Sequence, residues 1–379
     1  MESSVEDIPA QSLIRRFFAG RSLEHCIDGD RDNILQLRLL AALLVILGHS
    51  YGLVGGAIPP KDPLHWVLPS TYTHLVGVMM FFAVSGMLIT LSWQRRPSLG
   101  RFLRARALRL WPALLVCVFL WAFVLGPLLS SLAPVEYFTM GDKLSSAYSY
   151  AFGNASLVKM QWFLPGVFEH TPVKRYVNGA LWTIPIEALM YLCVAGVGVL
   201  RLFRMPWLAS LAIAGVFAWL ILWPMQTGTH HWTGIEWLGL NLAGFFGAGS
   251  IACLLRRYVP VSTGLMLGFF LLAIAGRTSI HATPLMWLAV GYFVLWFCYV
   301  PKFPHLPNDV DLSYGTYLWA FPLQQVLIAL GVTNPYVLFA TVVPLVLGIA
   351  FFSWTWIEKP ALRLKDVRWR RLKDAHALS

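Results

Sequence analysis

The stretch NILQLRLLAALLVILGHSYGL carries two side chains foreign to an apolar run, Arg38 and His49. Eleven residues at about 100° each come within about 20° of three full turns, so a helix puts both on one face, roughly 16 Å apart along its axis. Histidine is the natural general base near neutral pH, and the planar fork of arginine suits a phosphate. Each also has a structural reading: Arg38 snorkelling to a headgroup layer, His49 bonded to a carbonyl at a helix end. Glu187, in NGALWTIPIEALMYL, is a second ionisable group in an apolar run. It is expected either to orient a histidine or share its proton, or else to be merely protonated or paired structurally. Pro185, just before it, is expected to break the helical ladder and free carbonyls for a cavity wall. In SLGRFLRARALRLWPALL, Arg101 with Arg104 and Arg106 with Arg109 are spaced i, i+3, so that each pair can converge on one anion. Ser85 and Gly86, in MMFFAVSGMLI, would let two helices approach closely.

Positioning these groups falls to elements that the composition already restricts. Of 379 residues, 58% are hydrophobic and 12% charged. A soluble domain carries about twice that charge, and a disordered chain has the opposite balance. The chain reads as an all-α integral membrane protein. Ten apolar stretches suit spanning helices, at 34–54, 74–93, 108–131, 180–200, 206–224, 234–254, 263–276, 284–300, 313–332 and 335–356. Basic residues then sort by side. Arg15, Arg16, Arg21 and Arg31, the cluster from Arg95 to Arg109, Arg201 and Arg204, Arg256 and Arg257, Lys302 and the tail from Lys359 fall on one side. The other side holds Lys61, a few in the long loop 134–178, and Arg277. The positive-inside rule makes the first side cytoplasmic, with about ten transmembrane helices and both termini inside. The net charge of +11 is thereby spent on orientation among membrane lipids, and no nucleic-acid partner is expected. The expected organisation is a cytoplasmic arm at 1–33, one multi-spanning domain at 34–358, and a basic cytoplasmic tail at 359–379. Met1 to Asn33 has no apolar core, so no cleavable signal is expected. The five cysteines lack metal-ligand spacing, so neither a metal site nor a disulfide framework is expected.

In order along the chain, these segments resemble the acyltransferase-3 family of integral membrane O-acyltransferases, which acylate bacterial cell-surface glycans. The resemblance rests on Arg38 with His49, FFAVSG at 81–86, Arg106 and Arg109 before Leu-Trp-Pro, NGALWTIPIE at 178–187, SYGTYLWAFP at 313–322 and SWTWIEKP at 353–360. It implies a multi-pass enzyme of the bacterial inner membrane that takes an acyl group, most often acetyl, from cytoplasmic acetyl-CoA. Arg38, Arg106 and Arg109 would hold the CoA phosphates. The pantetheine arm would rise through the bundle, past Ser85, to His49, and His49 would take a proton from a sugar hydroxyl. Glu187 would steer or stabilise the imidazolium, with Trp182 beside it. Many members have a histidine after Leu-Trp in the ninth helix; Ala320 stands there in this chain, so no catalysis is assigned to that segment. Some members complete transfer with an extra periplasmic domain. None is expected here, which points to direct transfer to a glycan or lipid-linked saccharide received through the 134–178 loop. Trp162, Tyr137, Tyr148 and His170 in that loop offer flat faces for a sugar. The competing class is a transporter of a glycan, an acyl group or protons, using the same intramembrane Arg, His and Glu.

Overall fold

The computed structural model describes residues 20–366 except 30, 57–61, 70, 141–145, 228–233, 280 and 305–309. The first nineteen residues of the expected arm, Lys61, and the end of the expected tail from residue 367 lie outside the described residues. Each of the ten apolar stretches is helical: α1 (Ile34–Gly55), α2 (Thr73–Arg95), α3 (Leu99–Leu120), α4 (Thr183–Val199), α5 (Pro206–Thr227), α6 (Gly234–Leu254), α7 (Thr263–Ala275), α8 (Ala282–Tyr299), α9 (Ser313–Ala329) and α10 (Pro335–Ser353). Among the described residues, seven helices are long and apolar enough to cross a membrane, α3 and α10 with their continuations among them. Among the described residues the strands are β1 (Arg21–Ser22) and β2 (Pro260–Val261), paired antiparallel. The chain is a helical, multi-pass membrane protein. Large apolar side chains such as Leu128, Leu211, Leu271 and Trp356 face outward, as they must where hydrocarbon replaces water.

Helix α2 lies at the centre, packed against α1, α4, α6 and α8. The driving force in lipid is close backbone contact rather than expulsion of water, which favours small residues at crossings. A β-carbon at Gly86 would stand 1.9 Å from the Phe246 carbonyl oxygen on α6, and one at Gly249 of α6 would stand 2.0 Å from the Ala83 carbonyl oxygen on α2. The α2–α6 crossing therefore requires glycine on both sides, and Ser250 Oγ donates across it to the Gly86 carbonyl at 3.2 Å. Helix α1 is tied at its start by Asn33, whose amide donates to the Phe297 and Pro301 carbonyls at 3.0 and 2.7 Å.

Proline inside a helix strips a carbonyl of its partner, and Pro322 in α9 does this to Leu318. Asn178 answers it, its Nδ2 donating to the Leu318 carbonyl at 2.9 Å. The Asn-Gly start of NGALW thus has a structural reason: the asparagine ties the entry of α4 to α9. Pro185 differs from expectation. It is the third residue of α4, in the first turn, directly after a 3₁₀ turn at Gly179–Trp182, and not in the middle of the helix. The segment 134–178 carries the helices Pro134–Thr139 and Ala147–Ser156 and a bridge between Phe163 and Tyr176. Its Tyr137, expected as a sugar-facing ring, is fully buried and donates to the Ala122 carbonyl at 2.8 Å. Gln324 and Gln325 are also tied into the fold. The first donates to the Ile46 carbonyl and Ser50 Oγ, the second to the Val173 and Tyr176 carbonyls, all at 2.8 Å.

Candidate functional site

Arg38 opens the site at the start of α1, and its Nε donates to Ser313 Oγ at 3.1 Å and lies 3.5 Å from Asp311. Arg109 on α3 reaches the same Asp311 at 2.8 Å and Glu358 at 3.2 Å. Ser313 Oγ closes on Asp311 at 2.6 Å, and Ser353 Oγ on Glu358 at 3.0 Å. Two arginines and two carboxylates from four parts of the chain thus form one partly buried junction. Asp311 sits in the connection before α9. Burial alone would raise its pKa, but Arg109 and Arg38 beside it and hydrogen bonds from Ser313 hold the carboxyl well below its usual range. Glu358 points inward because residues Trp354–Glu358 form a π-helical turn after α10, which changes the register of the faces that follow.

Arg106 is held differently. Its guanidinium lies 5.7 Å from the ring centres of both Phe102 and Tyr191, and its Nε is buried without a hydrogen-bond partner. A buried, unanswered arginine donor is costly, so Arg106 has the chemistry to receive an anion. Arg106 lines a cleft of about 540 Å³ together with Arg38, Arg109, Ser85, Tyr191 and Lys365. A second cleft of about 560 Å³ shares Arg38, Arg109 and Ser85 with the first and continues past Phe81, Glu187 and Tyr314 to Val78, Thr183 and Tyr317. Ser85 therefore stands where the two chambers meet. Glu187 accepts a short hydrogen bond from Tyr191, one turn along α4.

The second cleft ends one helical turn short of His49. That ring lies between His74 of α2 and Phe321 of α9, 5.2 Å from each ring centre. Along α2, His74 precedes Val78 by four residues, and along α9 Phe321 follows Tyr317 by four; each step is about 6 Å of rise. Ascending from the arginines, the levels are thus Arg106 and Tyr191, then Arg38, Arg109 and Ser85, then Glu187, then Thr183 and Tyr317, and lastly the histidines. The structure brings Arg38, Arg106, Arg109, Ser85 and Glu187 onto two joined clefts. It sets His49 above them, and Glu187 below the level of Thr183. Trp182 precedes Thr183 at the entry of α4, and Trp162 packs against Tyr176 in the long connection, 6.4 Å between ring centres; neither lines the clefts.

Sequence reasoning missed Asp311, Glu358, Lys365, Tyr191 and His74. Glu358 was in view within SWTWIEKP, but nothing local says that it faces Arg109. His74 lies at the first turn of α2, and nothing local says that it meets His49.

The described residues thus form a membrane-embedded helical bundle with a cationic chamber at one end, a passage, and a pair of imidazoles beyond it. The chain belongs to the acyltransferase-3 family, whose model, described as an acyltransferase domain, matches residues 31–357. It is 28% identical to an O-acetyl transferase of Shigella phage Sf6 over 331 residues, covering 85% of this chain and 93% of that one. It is 24% identical over 375 residues to nodulation protein 10 of Rhizobium leguminosarum bv. viciae, covering 91% and 97%. No solved structure matches the chain.

Proposed function

We propose that this acyltransferase moves an acetyl group from cytoplasmic acetyl-CoA to a hydroxyl of a cell-surface polysaccharide or lipid-linked glycan. The observation that carries this reading is the pair of joined clefts that runs from Arg106 and Lys365, past Ser85, to within one turn of His49. A nucleotide cannot enter hydrocarbon without a large desolvation penalty, so its phosphates stay at the arginine end. Arg38, Arg106 and Lys365 meet them there, and Arg109 adds a positive charge already fixed by its carboxylates. The slender pantetheine arm fills the passage and presents the thioester below His49.

His49 takes the proton of the acceptor hydroxyl as that oxygen attacks the thioester carbonyl. The new C–O bond forms, the C–S bond breaks, and the thiolate leaves with the proton from the imidazole. Glu187, seated with Tyr191 beside the passage, supplies negative charge below the imidazolium at a distance rather than by contact. Trp182 and Trp162 belong to the acceptor side, near the entry of α4. The ten-helix arrangement, with both ends and the arginine chamber cytoplasmic, is part of this proposal, as is placement in the bacterial inner membrane.

The test is acyl transfer by purified protein in detergent, with acetyl-CoA and an extracted glycan fraction. His49→Ala should lower turnover at least about 100-fold while the protein stays monodisperse with an unchanged melting temperature. A folded His49→Ala protein that turns over at the wild-type rate would remove the histidine from the reaction.

A further inference from the structure

Beside His49 stands a second imidazole for which the reaction as drawn has no use. His74 lies 5.2 Å from it, ring centre to ring centre, with the planes 30° apart. The closeness is built into the backbone: a β-carbon at Gly48 would stand 2.2 Å from the backbone nitrogen of His74, so only glycine before His49 admits α2 at this distance. The Nδ1 atoms of both histidines are buried without a hydrogen-bond partner. Two such nitrogens on neighbouring rings mark a pair in which neither tautomer is fixed by an outside group.

The surroundings of the pair are unequal. His49 is backed by Phe321, which carries no charge and no proton. His74 stacks on Tyr72 at 5.9 Å, and Tyr72 stacks on His65 at 4.4 Å. Near the first turn of α2, buried Asp62 is held in place by Thr73, whose N–H and Oγ1 donate to it at 2.7 and 2.6 Å. The titratable groups facing the pair are thus Asp62, Tyr72 and, behind it, His65, all on the His74 side. A positive charge is better accommodated on that side than against Phe321.

We propose that His74 is a positioning residue for acyl transfer that acts through His49, packing the His49 ring in place and disfavouring a second positive charge beside it. This rests on the reading of His49 as the base. The proton released when the acceptor O–H breaks resides on His49 while the C–O bond forms. It returns through His49 to sulfur as the C–S bond breaks, so the pair ends each turnover as it began. Two adjacent imidazoles repel a second proton, which keeps one of them available as base.

The experiment compares His74→Phe, His74→Gln and His49→Ala in steady-state acetyl transfer across a range of pH. Phenylalanine retains the ring between Tyr72 and His49 and removes only the nitrogens. The His74→Phe protein should lose about 10- to 100-fold in kcat, with KM for acetyl-CoA within about twofold, because the nucleotide is held at the far end of the clefts. The acidic limb of its kcat profile should move to higher pH, because the like-charged neighbour is gone. Glutamine, which bonds but does not titrate in this range, should not restore either property. A folded His74→Phe or His74→Gln protein with wild-type kcat and an unmoved profile overturns the proposal. If His49→Ala is inactive in the same series, that failure belongs to His74 alone; if His49→Ala is fully active, the reading of His49 falls and this inference falls with it.

Discussion

Arg106 and Arg109 lie one turn apart on α3, yet their surroundings give them different work. Arg109 is bound by two carboxylates, whereas Arg106 rests on aromatic faces with a donor unanswered. Arg106→Ala should therefore raise KM for acetyl-CoA about 10-fold or more and leave kcat within about threefold, since it removes binding common to ground and transition states. Arg109→Ala should act on the fold. It strands Asp311 and Glu358 beside each other without their main cation, at a cost of about 3–5 kcal/mol, which a fall in melting temperature in detergent will report. The same junction has a defined pH range. Because Asp311 titrates well below the usual carboxylate range, its contribution is complete above about pH 4, where the unfolded carboxylate ionises, and is lost only as pH falls through its depressed value. Thermal stability between pH 5 and 8 should accordingly be insensitive to this group, and Asp311→Asn should lower the melting temperature by a similar amount across that interval.

The elements show which parts of this arrangement are legible in the residues alone. The α1 stripe is, because helical pitch fixes the relation of Arg38 to His49 whatever else the chain does. The glycines of the α2–α6 crossing are half legible: Ser85–Gly86 announces close approach but does not name Gly249 as the partner. Gly86→Ala should force the two backbones apart and lower the melting temperature by the equivalent of about 1–3 kcal/mol, whereas alanine at Gly244, where a β-carbon meets open space, should not. The carboxylates around Arg109 are not legible, since they come from positions 202 and 249 residues away. Asp311 lies just outside an apolar run, and Glu358 is turned inward only by a π-helical turn that no local propensity signals. Pro185 misleads for the opposite reason: the same residue breaks a helix in its middle and starts one at its first turn, and the boundary decides which.

At the scale of the whole molecule, the enzyme has two ends of different chemistry joined by a passage, and the proposed orientation places the arginine end in the cytoplasm. A cysteine at exposed Arg204, on the arginine end, should be labelled by an impermeant maleimide only after the membrane is opened. One at exposed Glu169, which accepts from Ser131 just beyond the far end of α3 and its continuation, should be labelled in intact cells. Those assignments exchanged would invert the orientation. The central claim is that donor and acceptor enter from opposite ends and meet at His49. It is tested most directly in proteoliposomes of uniform orientation, with acetyl-CoA supplied only at the arginine end and glycan only at the histidine end, and acetylated glycan measured by mass spectrometry. Acetylated glycan should form on the histidine side with equimolar CoA released on the other, and not when the two compartments are exchanged. Equal turnover in either arrangement, or movement of glycan across the bilayer with no CoA released, would contradict it.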